Sequence, residues 1–507
     1  MNWNSKLREQ MTVVNHEGAK AYAMTPELEL YTAVVTASLS DLTYEKQDGR
    51  VDRIAALVRK VSPEFVARLA VYARTQMHLR SIPLLLLVEL AKVHNGDSLV
   101  ARAVEKTVLR ADEIMELLMC YQWRNPSTDP RKKLGRLSRQ IQNGLQGAFN
   151  RFDEYQFAKY DRDNLEVRLR DALFLVHPKA KDGQQQALFD KIASRQLETP
   201  YTWETELSAL GQCQFASGQE KAMAFRQKWE ELVGSGKLGY MALMRNLRNL
   251  LEAGVSPAVL RLVCDRLSDA GQVARSKQLP FRYLSAYREV EQVNSTGTSA
   301  LLSSLEAAVR HSAANIGGFG EDTRVLLASD VSGSMWTQVS ARSTVRLYDI
   351  GLLLSMLLKS RCHQVIAGIF GDTWKVVNMP SDNILMATRQ LDSLEGSVGY
   401  STNGHKVIDW LIEQNQMMDK VMMFTDMQMW DSTGSGSTLE KSWNRYKQLA
   451  PGAKLYLFDL GGYGQMPLRM ARPDVFLVAG WSDRVFDVLS AIERGEDALS
   501  AINGTEV

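Results

Sequence analysis

Apolar residues recur at helical spacing through roughly the first 320 positions, and the rhythm then changes. Ser62 reads as a helix N-cap with Pro63 at the first helical position, followed by Phe65, Val66, Leu69, Ala73 and Met77 on one face. Residues 82–90 are apolar nearly all round, which predicts a helix covered on both sides. The run 240–253 (YMALMRNLRNLLEA) predicts one helix ending at Gly254 as its C′ residue, and Ser256-Pro257 restarts a helix running to Gly271. Helix after helix with short Ser, Pro and Gly breaks predicts stacked antiparallel pairs, an α-solenoid, although no repeat of fixed period stands out.

Beyond residue 320, short apolar runs alternate with helical ones. RVLLAS (324–329), VIAGIF (365–370), KVMMFT (420–425), AKLYLFDL (453–460) and DVFLVAG (474–480) read as strands. LYDIGLLLSMLLKS (347–360) and GHKVIDWLIEQNQ (404–416) read as helices between them. Such alternation predicts a mostly parallel sheet covered on both faces. The Gly-rich NIGGFGEDT (315–323) marks the seam, giving domains at 1–320 and 321–507, and DSTGSGST (431–438) reads as a surface loop.

Composition adds less than pattern. With 507 residues, 45% hydrophobic and 23% charged, the chain has the make-up of a soluble globular protein with room for several domains. The four cysteines are far apart, which excludes a disulfide scaffold or zinc ribbon and fits a reducing compartment. The polar start MNWNSKLREQMTVV does not resemble a signal peptide, and the greasiest stretch, 82–88, is far short of the roughly 20 residues that span a bilayer. A cytoplasmic protein without membrane contact is the expectation. The net charge of +2 is uninformative, but residues 1–320 hold 43 Lys and Arg against 36 Asp and Glu, whereas 321–507 hold 17 against 22. A cationic half suits a polyanion, because each neutralised phosphate releases counterions; a solvated basic face is the plainer reading.

The candidate chemistry begins at DVSGSM (330–335), directly after the first strand of the second half, where ligands bind in open α/β sheets. Asp330, Ser332 and Ser334 can aim three oxygens at one point, and Thr402 in GYSTNGH and Asp426 in MMFTDMQ stand at matching strand ends. This hard-oxygen set suits Mg²⁺ or another divalent cation with retained waters, rather than zinc. At these residues the second half resembles a von Willebrand factor type A domain with a metal-ion-dependent adhesion site. That resemblance implies that Ser332, Ser334 and Thr402 approach the metal through hydroxyls, with Asp330 and Asp426 nearby or bridged by water. Asn403 departs from the pattern, since Asp often follows the Thr, and this puts metal affinity in question.

In the first half, residues 124–139 carry Arg124, Arg131, Lys132, Lys133, Arg136 and Arg139 against the single acid Asp129. On a helix, Leu134, Leu137, Ile141 and Leu145 would form one stripe, with Lys132, Lys133, Arg136 and Arg139 largely opposite, where phosphates would sit first. Then come AKY-x-R (158–162), RDALFLVHPKA (170–180), MALMRNL (241–247) and LPFRYLSAY (279–287). With these the chain resembles, over nearly its whole length, the Ro autoantigen family, whose helical TROVE module precedes a type A domain. The resemblance implies a ring of HEAT-like helical repeats closed by the Rossmann-like α/β domain. It implies Y-type small noncoding RNA on the basic outer surface and single-stranded 3′ ends of misfolded RNA in the central hole, in RNA quality control or processing. It assigns Y RNA contacts to Lys159, Arg162 and His177. It also implies an indirect partner reached through RNA, a 3′-to-5′ exoribonuclease such as polynucleotide phosphorylase. A self-closed ring makes a monomer the expectation. Of the aromatics after the basic run, Phe149, Phe152, Tyr155, Phe157 and Tyr160, some could stack bases, but their helical spacing suits a core.

No G-x-x-x-x-G-K-[ST], H-E-x-x-H or G-x-S-x-G occurs, and two evident carboxylates are too few for a two-metal nuclease. The expectation is a binding protein and not an enzyme. The competing readings are a metal-dependent protein-interaction adaptor with a helical docking arm and no RNA ligand, and a metal-dependent hydrolase.

Overall fold

The computed structural model describes residues 11–36, 47–126, 136–312, 322–340, 343–379, 383–392, 394, 396–469, 472–481, 484–495 and 499–507. The chain has a mostly helical N-terminal region followed by a mixed α/β domain. It divides into two compact units: Val51–Gln214 with Leu499–Val507, and Met1–Arg50 with Phe215–Ala498. Helices between 215 and 312 therefore share a unit with the sheet. The change from helices to the main sheet falls between Ser312 and Arg324, inside this larger unit.

The smaller unit is all-helical among its described residues. Ser62 caps the helix Pro63–Thr75 as its sequence implies, its Oγ accepting from Phe65 N at 3.2 Å. The next helix, Ser81–Val93, buries every residue from 82 to 90, so the all-apolar run is explained by cover on all sides. Leu99–Thr107 packs on Arg139–Phe149, and Gly144 permits the close approach: a Cβ there would come within 2.5 Å of Ala101 O and 2.6 Å of Val104 Cβ. The fully buried Glu113 pairs with Arg74 at 2.8 Å and accepts from Leu109 N and Arg110 N. Its charge is thus shared among partners rather than left bare. The closing helix Ser500–Asn503 packs on Pro63–Thr75, with Arg68 donating to Asn503 O at 2.6 Å.

In the larger unit, strands β1 (Thr12–Val14) and β2 (Lys20–Ala23) form a hairpin. β3 (Arg324–Asp330), β4 (Gln364–Phe370), β5 (Trp374–Val376), β6 (Lys420–Thr425), β7 (Lys454–Asp459), β8 (Gln465–Met466) and β9 (Val475–Ala479) follow. The six-stranded sheet runs β5-β4-β3-β6-β7-β9, parallel except for the β4–β5 hairpin. Every residue of β6 is buried, as befits a central parallel strand covered on both faces. The hairpin β1–β2 joins β8 in a small antiparallel sheet that periodicity alone does not indicate.

Several helix ends differ from expectation. The run 240–253 forms two helices, Tyr240–Arg245 and Leu247–Glu252, broken at Asn246, whose buried side chain donates to Ala242 O at 2.8 Å. Gly254 does take positive φ (+65°) after the second of them. The helix from Pro257 stops at Ser268 instead of reaching Gly271, because Asp269 caps a new helix, Ala270–Ser276, by accepting from Gln272 N. Two buried anchors tie these helices to the α/β part. Arg288, on Pro280–Glu291, grips Asp349 at 2.7 and 2.9 Å. Glu306 accepts from Leu385 N and Met386 N at the start of the helix Ile384–Asp392, where a carboxylate suits the positive helix end.

Candidate functional site

β3 and β6, neighbours in the sheet, end side by side and deliver Asp330 and Asp426 to one edge. Both side chains are fully buried. Asp330 accepts from Ser332 N at 2.9 Å and from Thr425 Oγ1 at 2.6 Å, so the loop curls back on its first carboxylate. Ser332 and Ser334 bring their hydroxyl oxygens within 3.5 Å of each other. Gly333 N donates to Tyr400 O at 2.9 Å, which draws the 400–402 segment, with buried Thr402, against this loop.

Burial, then the charge of Asp426, pushes the Asp330 carboxyl up to about 7. Burial pushes Asp426 up to about 6, although the Ser334 hydroxyl and Gln428 N–H pull it back. Asp426 Oδ2 has no hydrogen-bond partner among the described residues. Two buried carboxylates at one edge, one with an orphan oxygen, within a ring of hydroxyls, form a donor set a hard divalent cation fits. Asp330, Ser332, Ser334, Thr402 and Asp426 are the residues that could hold it. Among the described residues no group of three or more His, Cys, Asp and Glu side chains converges on a metal position, so a cation here depends on the hydroxyls.

Asn403 has another task. It donates to Asp372 O and Ser432 Oγ and accepts from Ser432 N, clamping two loops beneath the edge, and an ionised Asp could not make the two donations. Thr425 and Asp459 join the site without belonging to the sequence motif. Asp459 ends β7, beside β6, and accepts from Gly461 N and Gly462 N; burial raises it to about 6, with Asp426 adding to the shift. Its strand-end position, matching those of Asp330 and Asp426, is the signal that sequence offers for it. Gly462 has φ +65° and a Cβ there would run into Thr36, so the turn beside Asp459 needs glycine.

The basic residues lie on the all-helical unit. Lys159 caps the short helix Glu154–Ala158, and exposed Lys159 and Arg162 line a cavity of about 610 Å³ shared with residues 197–200, 202, 204 and 205. Lys159 lies 5.9 Å from the Tyr155 ring and 5.6 Å from that of Tyr160, which Arg110 also covers at 4.9 Å. His177 is exposed but outside the walls of that cavity. It ends the helix Leu169–Val176 in the left-handed region (φ 48°), and its carbonyl accepts from Gln146. Phe149, Phe152 and Phe157 pack against one another in the core, leaving Tyr155 (45% exposed) and the half-buried Tyr160 as the surface aromatics of that run.

The expected basic helix is shorter than its apolar stripe implies. Its described part begins at Arg139, and residues 136–138 are non-helical, with Tyr121 Oη donating to Arg136 O and accepting from Ser138 N. Arg136 and Arg139 are both exposed, whereas Lys132, with Arg131 and Lys133, falls outside the described residues.

The chain thus joins a mostly helical region to a mixed α/β domain with a hydroxyl-rich strand edge. The chain belongs to the TROVE domain family, whose model matches residues 5–199 and 193–318. Its fold is similar to that of the Deinococcus radiodurans RO (RSR) protein crystal structure, with TM-score 0.56 and 18% identity, over 93% of this chain and 100% of that one. A stretch of 97 residues, 19% of this chain, is 41% identical to telomerase protein component 1 of Mus musculus and 40% identical to that of Rattus norvegicus. The matched stretch spans only 3% of the length of these curated relatives. Among the described residues no helix is long and apolar enough to cross a membrane.

Proposed function

We propose that this is a non-catalytic, cytoplasmic RNA-binding protein of RNA quality control. It takes structured, Y-type small RNA on Lys159, Arg162 and His177, with the exposed Arg136 and Arg139 adding positive charge and Lys132, outside the described residues, assigned as a further contact. The observation that carries this reading is the pair Lys159 and Arg162 on the wall of a cavity of about 610 Å³, with tyrosines beside the lysine. Lys and Arg contact phosphates without reading sequence, and exposed aromatic faces add base stacking. The same reading holds that single-stranded 3′ ends of misfolded RNA are received in the hole of a monomeric ring. An exoribonuclease such as polynucleotide phosphorylase would then be engaged through the RNA. Mg²⁺ or another divalent cation at Asp330, Ser332, Ser334, Thr402 and Asp426 serves as an anchor and not as a catalyst.

Sequencing RNA cross-linked to the protein in its own cells identifies the ligand, and enrichment of one structured small RNA is the expected result. The triple variant Lys159→Ala, Arg162→Ala, His177→Ala is expected to weaken its binding and to flatten the salt dependence by about 0.9 log units for each phosphate left unneutralised. Unchanged affinity and slope would remove the assignment of this face. Absence of any cross-linked RNA would favour the adaptor reading.

A further inference from the structure

The rim of the D-x-S-x-S loop carries a feature that cation binding does not use. Trp336 follows the loop, half-buried, its Nε1 donating to Val331 O at 3.4 Å. The Arg346 guanidinium lies 4.4 Å from its ring centroid, and Tyr348 is 5.4 Å away. Tyr400 completes the group edge-on, 6.2 Å from Trp336 at 70°. It is 54% exposed, and its carbonyl is the one that holds Gly333 N. Its hydroxyl end lies over Gly396, where a Cβ would come within 3.1 Å.

Two properties of this group define its ligand. A tyrosine ring left half in water, on a backbone pinned to the site, offers a π-face to something flat. Arg346 makes no ion pair among the described residues: its backbone N–H, not its guanidinium, is what Asp349 engages. A guanidinium stacked on indole keeps its N–H edge for an anion. A flat π-face and an anion, bound by two side chains that share one indole as neighbour, describe a nucleotide. An acidic peptide supplies both only where an aromatic side chain happens to neighbour the acid, whereas every unpaired nucleotide carries both, and a duplex keeps its base faces stacked on each other.

We propose that Trp336, Arg346 and Tyr400 form a seat for an unpaired nucleotide of single-stranded RNA, its base on Tyr400 and its phosphate on Arg346. This rests on the RNA-binding reading but uses a different surface from Lys159, Arg162 and His177, so the two can fail separately.

The test uses the full chain and a single-stranded RNA 12-mer carrying 2-aminopurine, with a structured small RNA recovered by cross-linking as a second probe. Stacking of about 1–3 kcal/mol per base predicts that Tyr400→Ala weakens 12-mer binding about fivefold or more. The 2-aminopurine quenching seen with wild type should be lost. Arg346→Gln should weaken the 12-mer while leaving the ring contacts, Tyr400→Phe should retain both binding and quenching, and structured-RNA affinity should stay unchanged in all three. Wild-type binding and quenching in both Tyr400→Ala and Arg346→Gln would overturn the seat. Failure of the wild type to bind the 12-mer while it holds structured RNA would overturn the seat, and with it the reception of single-stranded ends, but spare the structured-RNA face of the parent reading, whereas failure with both probes would sink all of it. Tyr400-dependent binding of an acidic peptide in place of the 12-mer would overturn the seat in favour of a protein ligand.

Discussion

Replacing Arg288 by Met tests how the helices are joined to the α/β domain. Asp349 is fully buried: Oδ1 accepts from Arg288 Nη2 at 2.7 Å, and Oδ2 accepts from Arg288 Nη1 at 2.9 Å and Arg346 N at 2.8 Å. Arg288 also donates to Thr344 O at 2.6 Å, so one side chain satisfies a carboxylate and a carbonyl. Methionine keeps much of the aliphatic stem but takes the guanidinium away from the buried carboxylate. Breaking a buried pair from one side costs about 3–5 kcal/mol. At roughly 2–4 °C per kcal/mol, the melting temperature of this unit should fall on the order of 10 °C. The double variant Arg288→Met, Asp349→Leu removes the bare charge and should recover most of the loss, short by about 1 kcal/mol for the acceptor that Arg346 N no longer has. Differential scanning calorimetry of wild type, both single variants and the double variant gives the cycle. A single-variant loss under about 1 kcal/mol, or a double variant worse than Arg288→Met, would refute the reasoning.

Three further outcomes follow from the geometry. Millimolar Mg²⁺ should raise the melting temperature of the wild type, by the equivalent of about 2.7 kcal/mol at a hundredfold excess over Kd, and leave Asp330→Asn unmoved; equal responses would place the cation elsewhere. Gly144→Ala should cost about 1–3 kcal/mol in urea unfolding, because Ala101 O and Val104 Cβ cannot give way. Gly147→Ala should be near neutral, since the atoms nearest to it are those of the Glu105 carboxylate, at the end of a flexible side chain. Burial opposes ionisation of Asp474, but Arg472 and the Trp443 N–H win and hold its carboxyl below the usual range. Its stabilisation is present above the unfolded value of about 3.9 and is lost as pH falls through the lower folded value, so Asp474→Asn should flatten the acid limb of the melting-temperature profile below about pH 4.

Local pattern was enough to place the five apolar strands within a residue or so, the cap at Ser62, the buried run 82–90 and the positive-φ Gly254, because each is settled by neighbours in the chain. It also put Asp330 and Asp426 at one edge, since strand ends in a parallel sheet fall there, but Thr402, expected at a strand end, stands in the loop before the helix His405–Glu413. Pattern misjudges the run 240–253, where the Asn246 side chain bonds back to the backbone, and the basic run, where Tyr121 on another helix holds residues 136–138 out of a helix. Asp459, the hairpin joined to β8, the Arg288–Asp349 grip and the Trp336, Arg346 and Tyr400 group belong to tertiary structure alone. Each joins residues far apart in sequence, and such pairings arise only once strand order and helix docking bring them together. Short-range periodicity records which face of an element is buried, not which distant side chain it is buried against.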